Sequence, residues 1–299
     1  MILVVGEALV DVVEHPGGSR SEHAGGSPAN VAVGLGRAGL EVTLATALGD
    51  DRFGEQIRGH LAESHVNVVA SLADRTSSAV ARLDDGGSAD YAFDVSWDPA
   101  LADLPTAPGA VHTGSIAATL APGADAVEAL VQRLRSTSIV TFDPNVRPSL
   151  TPDRSEVASR VDRLVRLADV VKVSDEDLRW LSPDESVDDT AGRWLTAGPA
   201  MVVLTRGAAG STAFARSGRL DVPAAETSVV DTVGAGDAFM SGLLVGMHDE
   251  RLLDVERRRA LHDIDSEGMD RVATVAARSA AWTVGRAGAQ PPTRLELWP

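Results

Sequence analysis

The chain of 299 residues carries 43 acidic against 27 basic side chains, a formal net charge of -16, 44% hydrophobic residues and no cysteine. That length and apolar share can bury a sizeable core in one large domain or in a core with a smaller attachment. The missing cysteine excludes disulfides, thiolate zinc sites, iron–sulfur clusters and thiol nucleophiles, and the negative charge disfavours nucleic acids and anionic membranes, which need a basic footprint.

Lys172 is the only lysine. It lies between Val171 and Val173, outside any Gly-Lys-Ser/Thr segment, so a phosphate loop that relies on lysine is excluded. The seven histidines are scattered without metal spacing.

In chain order, Ile2–Val5 reads as a buried strand and not as a secretion signal, since Met1–Gly6 carries no basic region and Glu7 and Asp11 interrupt its apolar run. No apolar run approaches the ~18 residues of a membrane span, so a cytoplasmic protein is expected. Leu9–Glu14 and Ser19–His23 are short alternating segments. Pro28–Ala38 is predicted helical, with Ser27 as N-cap and Pro28 at the first helical position. Val42–Ala47 is a strand, and Asp51–Ser64 has helical spacing at Phe53, Ile57 and Leu61. Residues 66–98 alternate again, in Val66–Ala70, Ser78–Leu83 and Ala89–Val95, with a hairpin signal at Asp84-Asp85-Gly86-Gly87.

The later chain repeats strand and helix. Strands are predicted at Ala110–Thr113, Ile139–Phe142, Val170–Val173 and Met201–Leu204. Helical faces appear at Ala126, Val127, Leu130, Val131 and Leu134, and at Val157, Val161, Leu164, Val165 and Ala168. This rhythm predicts an α/β fold, an open and mostly parallel sheet with helices on both faces. The alternating segments predict a small antiparallel β lid, inserted at about 9–24 and 66–98 of a single domain spanning 1–299. Polar residues at the strand ends (Gly6, Thr113–Ser115, Asp143, Ser174 and Thr205) are expected along one rim, where ligands of open α/β sheets bind.

The strongest chemical signal is Asp231-Thr232-Val233-Gly234-Ala235-Gly236-Asp237-Ala238-Phe239-Met240-Ser241-Gly242. A Gly-Ala-Gly turn feeds a helix, so backbone N–H groups and the helix dipole converge on an anion site. Asp237, in the first turn, either caps the helix or takes a proton from an attacking hydroxyl. A second signal is Gly25-Gly26-Ser27-Pro28-Ala29-Asn30, where glycines permit close approach and Asn30 both donates and accepts. By contrast, Gly34-Leu35-Gly36-Arg37-Ala38-Gly39 fits the dinucleotide pattern but closes a helix instead of opening one; Gly39 reads as a C-terminal glycine.

Together, in this order and separation, the two segments resemble the signatures of the ribokinase-like, or PfkB, family of carbohydrate kinases. Gly6-Glu7, Gly49–Gly54, Asp143–Pro148, Thr205–Gly210 and Gly288–Pro291 extend the resemblance over nearly the whole chain. Within the family, Gly6-Glu7 and Asp143–Pro148 look most like bacterial fructokinases and 2-keto-3-deoxygluconate kinases.

The resemblance implies an ATP-dependent kinase acting on a sugar hydroxyl, fructose above all. Asp237 would be the base, and the amides of Gly234, Ala235 and Gly236 the anion hole. Asp11, Gly25, Gly26, Asn30 and Asn145 would hold the sugar. Arg147 is balanced between a surface cation and a fork for substrate carboxylate or phosphate. Ser174, Thr205, Gly207 and Gly210 would serve the nucleotide. Asp231 and the Val233 carbonyl match positions for a monovalent cation such as K+, and a small helix at Ala273–Ala281 would flank the adenine. The family's Asn-x-x-Glu element stands here as Ser174-Asp175-Glu176-Asp177, which assigns Mg2+ to Asp177 with a shorter side chain. A homodimer paired through the lid is implied. Sugar-acid kinase, nucleoside kinase and a non-catalytic sugar- or nucleotide-binding protein remain as alternatives.

Overall fold

The computed structural model describes residues 1–15, 17–83, 89–102, 104 and 107–298. The predicted hairpin turn at Asp84–Gly87 lies outside them.

The first strand, β1 (Ile2–Val5), is buried at all four positions, as a continuous apolar run in a parallel sheet must be. Its side chains alternate between the two faces of the sheet. Ile2 and Val4 enter one core and Leu3 and Val5 the other. The chain then makes β2 (Leu9–Glu14), β3 (Arg20–Gly25), β4 (Val42–Leu48), β5 (Asn67–Leu72), β6 (Ser78–Leu83), β7 (Ala89–Asp94), β8 (Ala110–Gly114), β9 (Ile139–Asp143), β10 (Val170–Ser174), β11 (Met201–Thr205), β12 (Ser211–Ala215) and β13 (Gly218–Val222). Nine of these strands form the main sheet, in the order β13-β12-β11-β10-β9-β8-β1-β4-β5. All neighbours pair in parallel except β11–β12 and β12–β13, a meander at one edge.

The remaining four strands form a separate sheet, β3-β2-β6-β7. Its β2–β3 and β6–β7 pairs are antiparallel, while β2 and β6 run parallel in the middle. The lid is therefore built from two hairpin-like pieces. The first alternating segment of 66–98 does not join it: β5 pairs with β4 as the parallel edge strand of the main sheet. Its alternation reflects a strand exposed at an edge.

The helices are α1 (Ser27–Arg37), α2 (Arg52–Glu63), α3 (Ser115–Thr119), α4 (Gly123–Leu134), α5 (Arg154–Leu167), α6 (Asp175–Leu181), α7 (Val187–Ala197), α8 (Ala235–Asp249), α9 (Arg258–His262), α10 (Ser266–Val284) and α11 (Arg294–Leu297). Buried residues of α1, α2, α8 and α10 pack in one core, and those of α4, α5 and α7 in the other. Helix α8 is buried continuously from Asp237 to Met247. It packs against α1, where a Cβ at Gly34 would lie 2.3 Å from Ser241 Oγ, and against α10, where a Cβ at Gly242 would lie 2.9 Å from the Ala276 Cα. The predicted small helix at Ala273–Ala281 is thus the inner stretch of the 19-residue α10. Gly39 follows the end of α1 with φ 80, as expected of a helix C-terminal glycine. No helix among the described residues is long and apolar enough to cross a membrane.

Candidate active site

Two glycine turns deliver the site. At Gly234 the backbone is left-handed, φ 74, and a Cβ there would lie 2.4 Å from the Ala289 Cβ, so both conformation and space require glycine. Helix α8 starts at the next residue. Its first-turn amides have no intrahelical partner and carry the positive end of the dipole. One of the three expected anion-hole amides is engaged, because Ala235 N donates to the Thr232 carbonyl at 3.2 Å. Gly234 and Gly236 flank it.

Asp237 sits in that first turn, 8% exposed. It does not act as the helix cap, which is Gly234. Its Oδ1 accepts from Ser27 Oγ at 2.6 Å and its Oδ2 from Asn30 Nδ2 at 2.8 Å. Ser27 was expected to cap α1. Instead Gly26 holds the cap position, with φ 98, and the hydroxyl is spent across the molecule on Asp237. A Cβ at Gly26 would lie 2.7 Å from the Glu7 carbonyl, and one at Gly25 would lie 2.3 Å from Asp11 Oδ2. The second glycine turn therefore brings Asp11, Asn30 and Asp237 to one side of the α1 start.

Asp11 is open to solvent on one side. The protein packed around it pushes its carboxyl up, a shift opposed by His23 and Arg147 and reinforced by Asp237. Behind it Glu7 is buried and accepts from Ala117 N at 2.9 Å. Burial pushes Glu7 up to about 7, against the pull of hydrogen bonds and of Arg147. Arg147 is half-buried and curls onto its own loop, with Nη1 donating to the Asn145 carbonyl at 2.9 Å and to Asn145 Oδ1 at 2.6 Å. Asn145 takes φ 37, held by this fork. The two residues form a charged corner facing Glu7 and Asp11 rather than a free surface cation.

On the other flank Lys172 Nζ donates to Asp143 Oδ2 at 2.9 Å, with both side chains buried. Burial pushes Asp143 up to about 6 against the pull of Lys172. Burial works against the ammonium too, but Asp143, Asp177 and Asp237 more than offset it and hold it charged. The same ammonium lies 3.2 Å from where a Gly236 Cβ would stand. Asp177 Oδ1 accepts from Val146 N at 3.1 Å, and Ser174 Oγ caps α6 by accepting from Asp177 N at 3.0 Å. His112 is buried beside Thr141 and pushed down to about 3 by burial and Lys172, a neutral core histidine.

Next to Gly236 opens a cleft of about 490 Å³, lined among others by Thr205, Gly207, Gly210, Ala235, Gly236 and Ala281. Ser174 is not among its lining residues. Asp231 neighbours the cleft-lining Thr232 in sequence: its Oδ1 accepts from Val233 N at 3.0 Å and its Oδ2 from Gly288 N at 2.9 Å, which ties the two loops together and lowers its pKa.

Sequence reading missed Ser27 and Lys172 as members of this constellation. The available signal for Lys172 was a lone lysine inside an apolar strand, a costly position unless it has a partner.

The family model for pfkB family carbohydrate kinase matches residues 1–295. The fructokinase of Rhizobium leguminosarum bv. trifolii is 33% identical over 284 residues, covering 90% of this chain and 85% of that protein. Among solved structures, the fructokinase with bound ATP from Xylella fastidiosa superposes with TM-score 0.85 at 30% identity, covering 99% of this chain and 96% of that one. A double-mutant fructokinase from Vibrio cholerae O395, in its fructose, ADP and potassium ion bound form, gives TM-score 0.82 at 26% identity, with 99% and 96% covered. With its glycine turns, its first-turn aspartate and its cleft so arranged, the chain belongs to the pfkB family of carbohydrate kinases and is an enzyme that phosphorylates a sugar hydroxyl.

Proposed function

We propose that this kinase transfers the γ-phosphoryl group of ATP to a hydroxyl of fructose. The observation that carries the reading is the buried carboxylate of Asp237, held by Ser27 and Asn30 at the dipole end of α8 beside the cleft. The ligands of the Xylella and Vibrio fructokinases support the choice of nucleotide and sugar.

In this reading the sugar lies against Asp11, Gly25, Gly26 and Asn30, and ATP occupies the cleft at Thr205, Gly207 and Gly210. Asn145 and Arg147 border the sugar. Asp237 accepts the proton of the attacking hydroxyl as its oxygen bonds to the γ-phosphorus. The bond from that phosphorus to the β-phosphate oxygen breaks, and ADP leaves with the electron pair. The first-turn amides of α8 face the charge on the transferring group. The β2, β3, β6 and β7 lid covers the sugar side and excludes water, so that a sugar hydroxyl and not water is the acceptor.

The oxygen donors of the site fit Mg2+. Asp143 Oδ1 is buried without a hydrogen-bond partner, and Asp177 stands beside it in the charge balance. Among the described residues no cluster of three or more histidine or carboxylate groups forms a metal cage. Mg2+ suits such a place, since it binds through one or two carboxylates plus substrate phosphates. Asp177 would hold it, and the ion would neutralise charge on the phosphates. Asp231 and the Val233 carbonyl are the residues for K+. A homodimer paired through the lid belongs to the same reading and follows from the family resemblance alone.

The test is a coupled ADP-release assay with Mg2+ over fructose, 2-keto-3-deoxygluconate and a ribonucleoside. Release dependent on fructose supports the reading, and release with another acceptor alone reassigns the substrate. No acceptor-dependent release from folded protein defeats it.

A further inference from the structure

We propose that Lys172 is a positioning residue for phosphoryl transfer, supplying a fixed positive charge beneath the anion-binding turn of α8. The inference rests on the reading of Gly234–Asp237 as the phosphoryl site. It adds a component that the backbone amides alone do not provide.

Three observations carry it. First, the placement is costly and specific. Lys172 is 3% exposed in the interior strand β10, flanked by Val171 and Val173, which are fully buried. Every other basic side chain of this protein is an arginine. A compact ammonium on a flexible stem is used at this one place, where a planar guanidinium would need more room. Second, the ammonium abuts the turn. The point where a Gly236 Cβ would stand is 3.2 Å from Lys172 Nζ, with no other heavy atom of the surrounding protein within 4 Å. The ammonium is therefore nearer to that position than the Asp143 carboxylate is. Glycine at 236 and lysine at 172 are a matched pair, because any side chain on 236 would press on the charge.

Third, the charges do not balance locally. Lys172 faces Asp143, Asp177 and Asp237, three carboxylates against one cation. A nucleotide triphosphate brought into that environment meets net negative protein charge. Buried fixed charges of this kind need no reorganisation when charge shifts during reaction, and the dry surroundings strengthen them.

Removing lysine alone would strand a buried carboxylate, so the experiment replaces the pair. Buried ion pairs commonly tolerate neutral substitutes of similar shape. Asp143→Asn alone, which keeps the lysine, is the control for losing the carboxylate and its free oxygen, and a fall in it equal to that of the pairs would overturn the assignment to Lys172. Of the paired variants, Lys172→Met with Asp143→Leu gives an apolar pair, and Lys172→Gln with Asp143→Asn keeps a hydrogen bond without charge. All three are compared with wild type by melting temperature, by calorimetric binding of ATP, and by kcat and KM in the ADP-release assay. The expected result is a folded paired variant whose sugar KM stays within about threefold while kcat falls about tenfold or more, with ATP bound about tenfold more weakly. A purely structural role would lower the melting temperature and leave that split unmoved.

A folded neutral pair with kcat and ATP affinity within about threefold of wild type would overturn the proposal. Failure of both pairs to fold would assign Lys172 to the scaffold and overturn it equally. The reading of the site is judged separately, by acceptor-dependent ADP release in wild type. If that is absent, ATP affinity still decides whether the charge beneath the turn acts on phosphate.

Discussion

Ser27 Oγ donates to Asp237 Oδ1 at 2.6 Å, joining the first residue of α1 to the first turn of α8 across 210 positions of sequence. Asn30, one turn further along α1, donates to the other oxygen. The two donors fix the carboxylate's orientation before any substrate arrives. The start of α1 thus does two jobs, since the same turn places Gly25 and Gly26 against Asp11 and Glu7.

Ser27→Ala tests the orientation role. The substitution removes one hydrogen bond to a charged group, a loss of about 1.5–3 kcal/mol. On the proposed reading, in which Asp237 is the base and Ser27 touches it and not the sugar, kcat is expected to fall about tenfold or more, with little change in sugar KM. Asn30→Ala should differ by raising KM as well, because the proposed reading places the sugar against Asn30. Steady-state kinetics on both variants reads the difference, and an unchanged kcat in Ser27→Ala would show that Asn30 alone suffices.

Asp237→Asn removes the proposed proton acceptor while keeping the volume. The expected loss in kcat is about 10²–10⁴-fold, the range for a positioned general base. The amide oxygen still accepts from Asn30 Nδ2, and its NH2 can donate to the Ser27 hydroxyl, which accepts as well as donates, so the substitution keeps both contacts and removes only the charge and the basic oxygen. Sugar binding by calorimetry should change by no more than a few fold. Retained turnover would remove Asp237 from the role of base.

The two glycine segments were legible because their chemistry is local. Backbone donors at a helix start need glycine nearby, and that requirement is written in consecutive residues. The parallel sheet was legible for a similar reason, as β1 is an unbroken apolar run and β4 is interrupted only by Thr43 and Thr46, β-branched residues that favour strands. What stayed hidden depends on distant partners. Ser27 reads as a helix cap from its neighbours alone, and only the arrival of α8 against α1 shows where its hydroxyl goes. Likewise β5 alternates like a lid strand, yet its alternation comes from the exposed edge of the main sheet. Lys172 was visible as an oddity, but its relation to Gly236 requires β10 and α8 to be brought together.

Glu7 predicts a pH dependence of stability. Burial holds its folded-state pKa at about 7, while the unfolded chain keeps the ordinary 4.5. Between these values the native protein binds more protons than the unfolded one, so stability falls as pH rises. The contribution is complete below 4.5 and is lost as pH passes 7. Glu7→Gln, which keeps an acceptor for Ala117 N, carries no such loss. Relative to wild type the variant should gain stability between pH 5 and pH 8, by at most about 3 kcal/mol. Urea unfolding at the two pH values measures the difference, and a gap independent of pH would place Glu7's titration outside this window.

The pair of Arg258 and Asp169 makes a prediction about stability without the active site. Asp169 is 7% exposed and accepts from Val140 N at 2.8 Å, from Arg258 Nε at 2.8 Å and from an Arg258 Nη at 3.2 Å. The same guanidinium donates to the carbonyls of Arg135 and Ser138 at 2.6 and 2.5 Å. It therefore clamps the ends of α4 and α5 and the start of β9 to α9, at the edge of the sheet opposite the strand ends that carry the site. Arg258→Met keeps much of the stem but strands a nearly buried carboxylate and two carbonyls. Breaking such a pair from one side costs about 3 kcal/mol. In a chain of this size that corresponds to a fall in melting temperature of roughly 6 °C. The kcat at 25 °C should match wild type, because no group near Asp237 has moved. Adding Asp169→Asn should recover part of the loss by removing the stranded charge. A melting temperature within 1–2 °C of wild type for Arg258→Met would mean that water replaces the guanidinium at little cost, and that the clamp is not a source of stability.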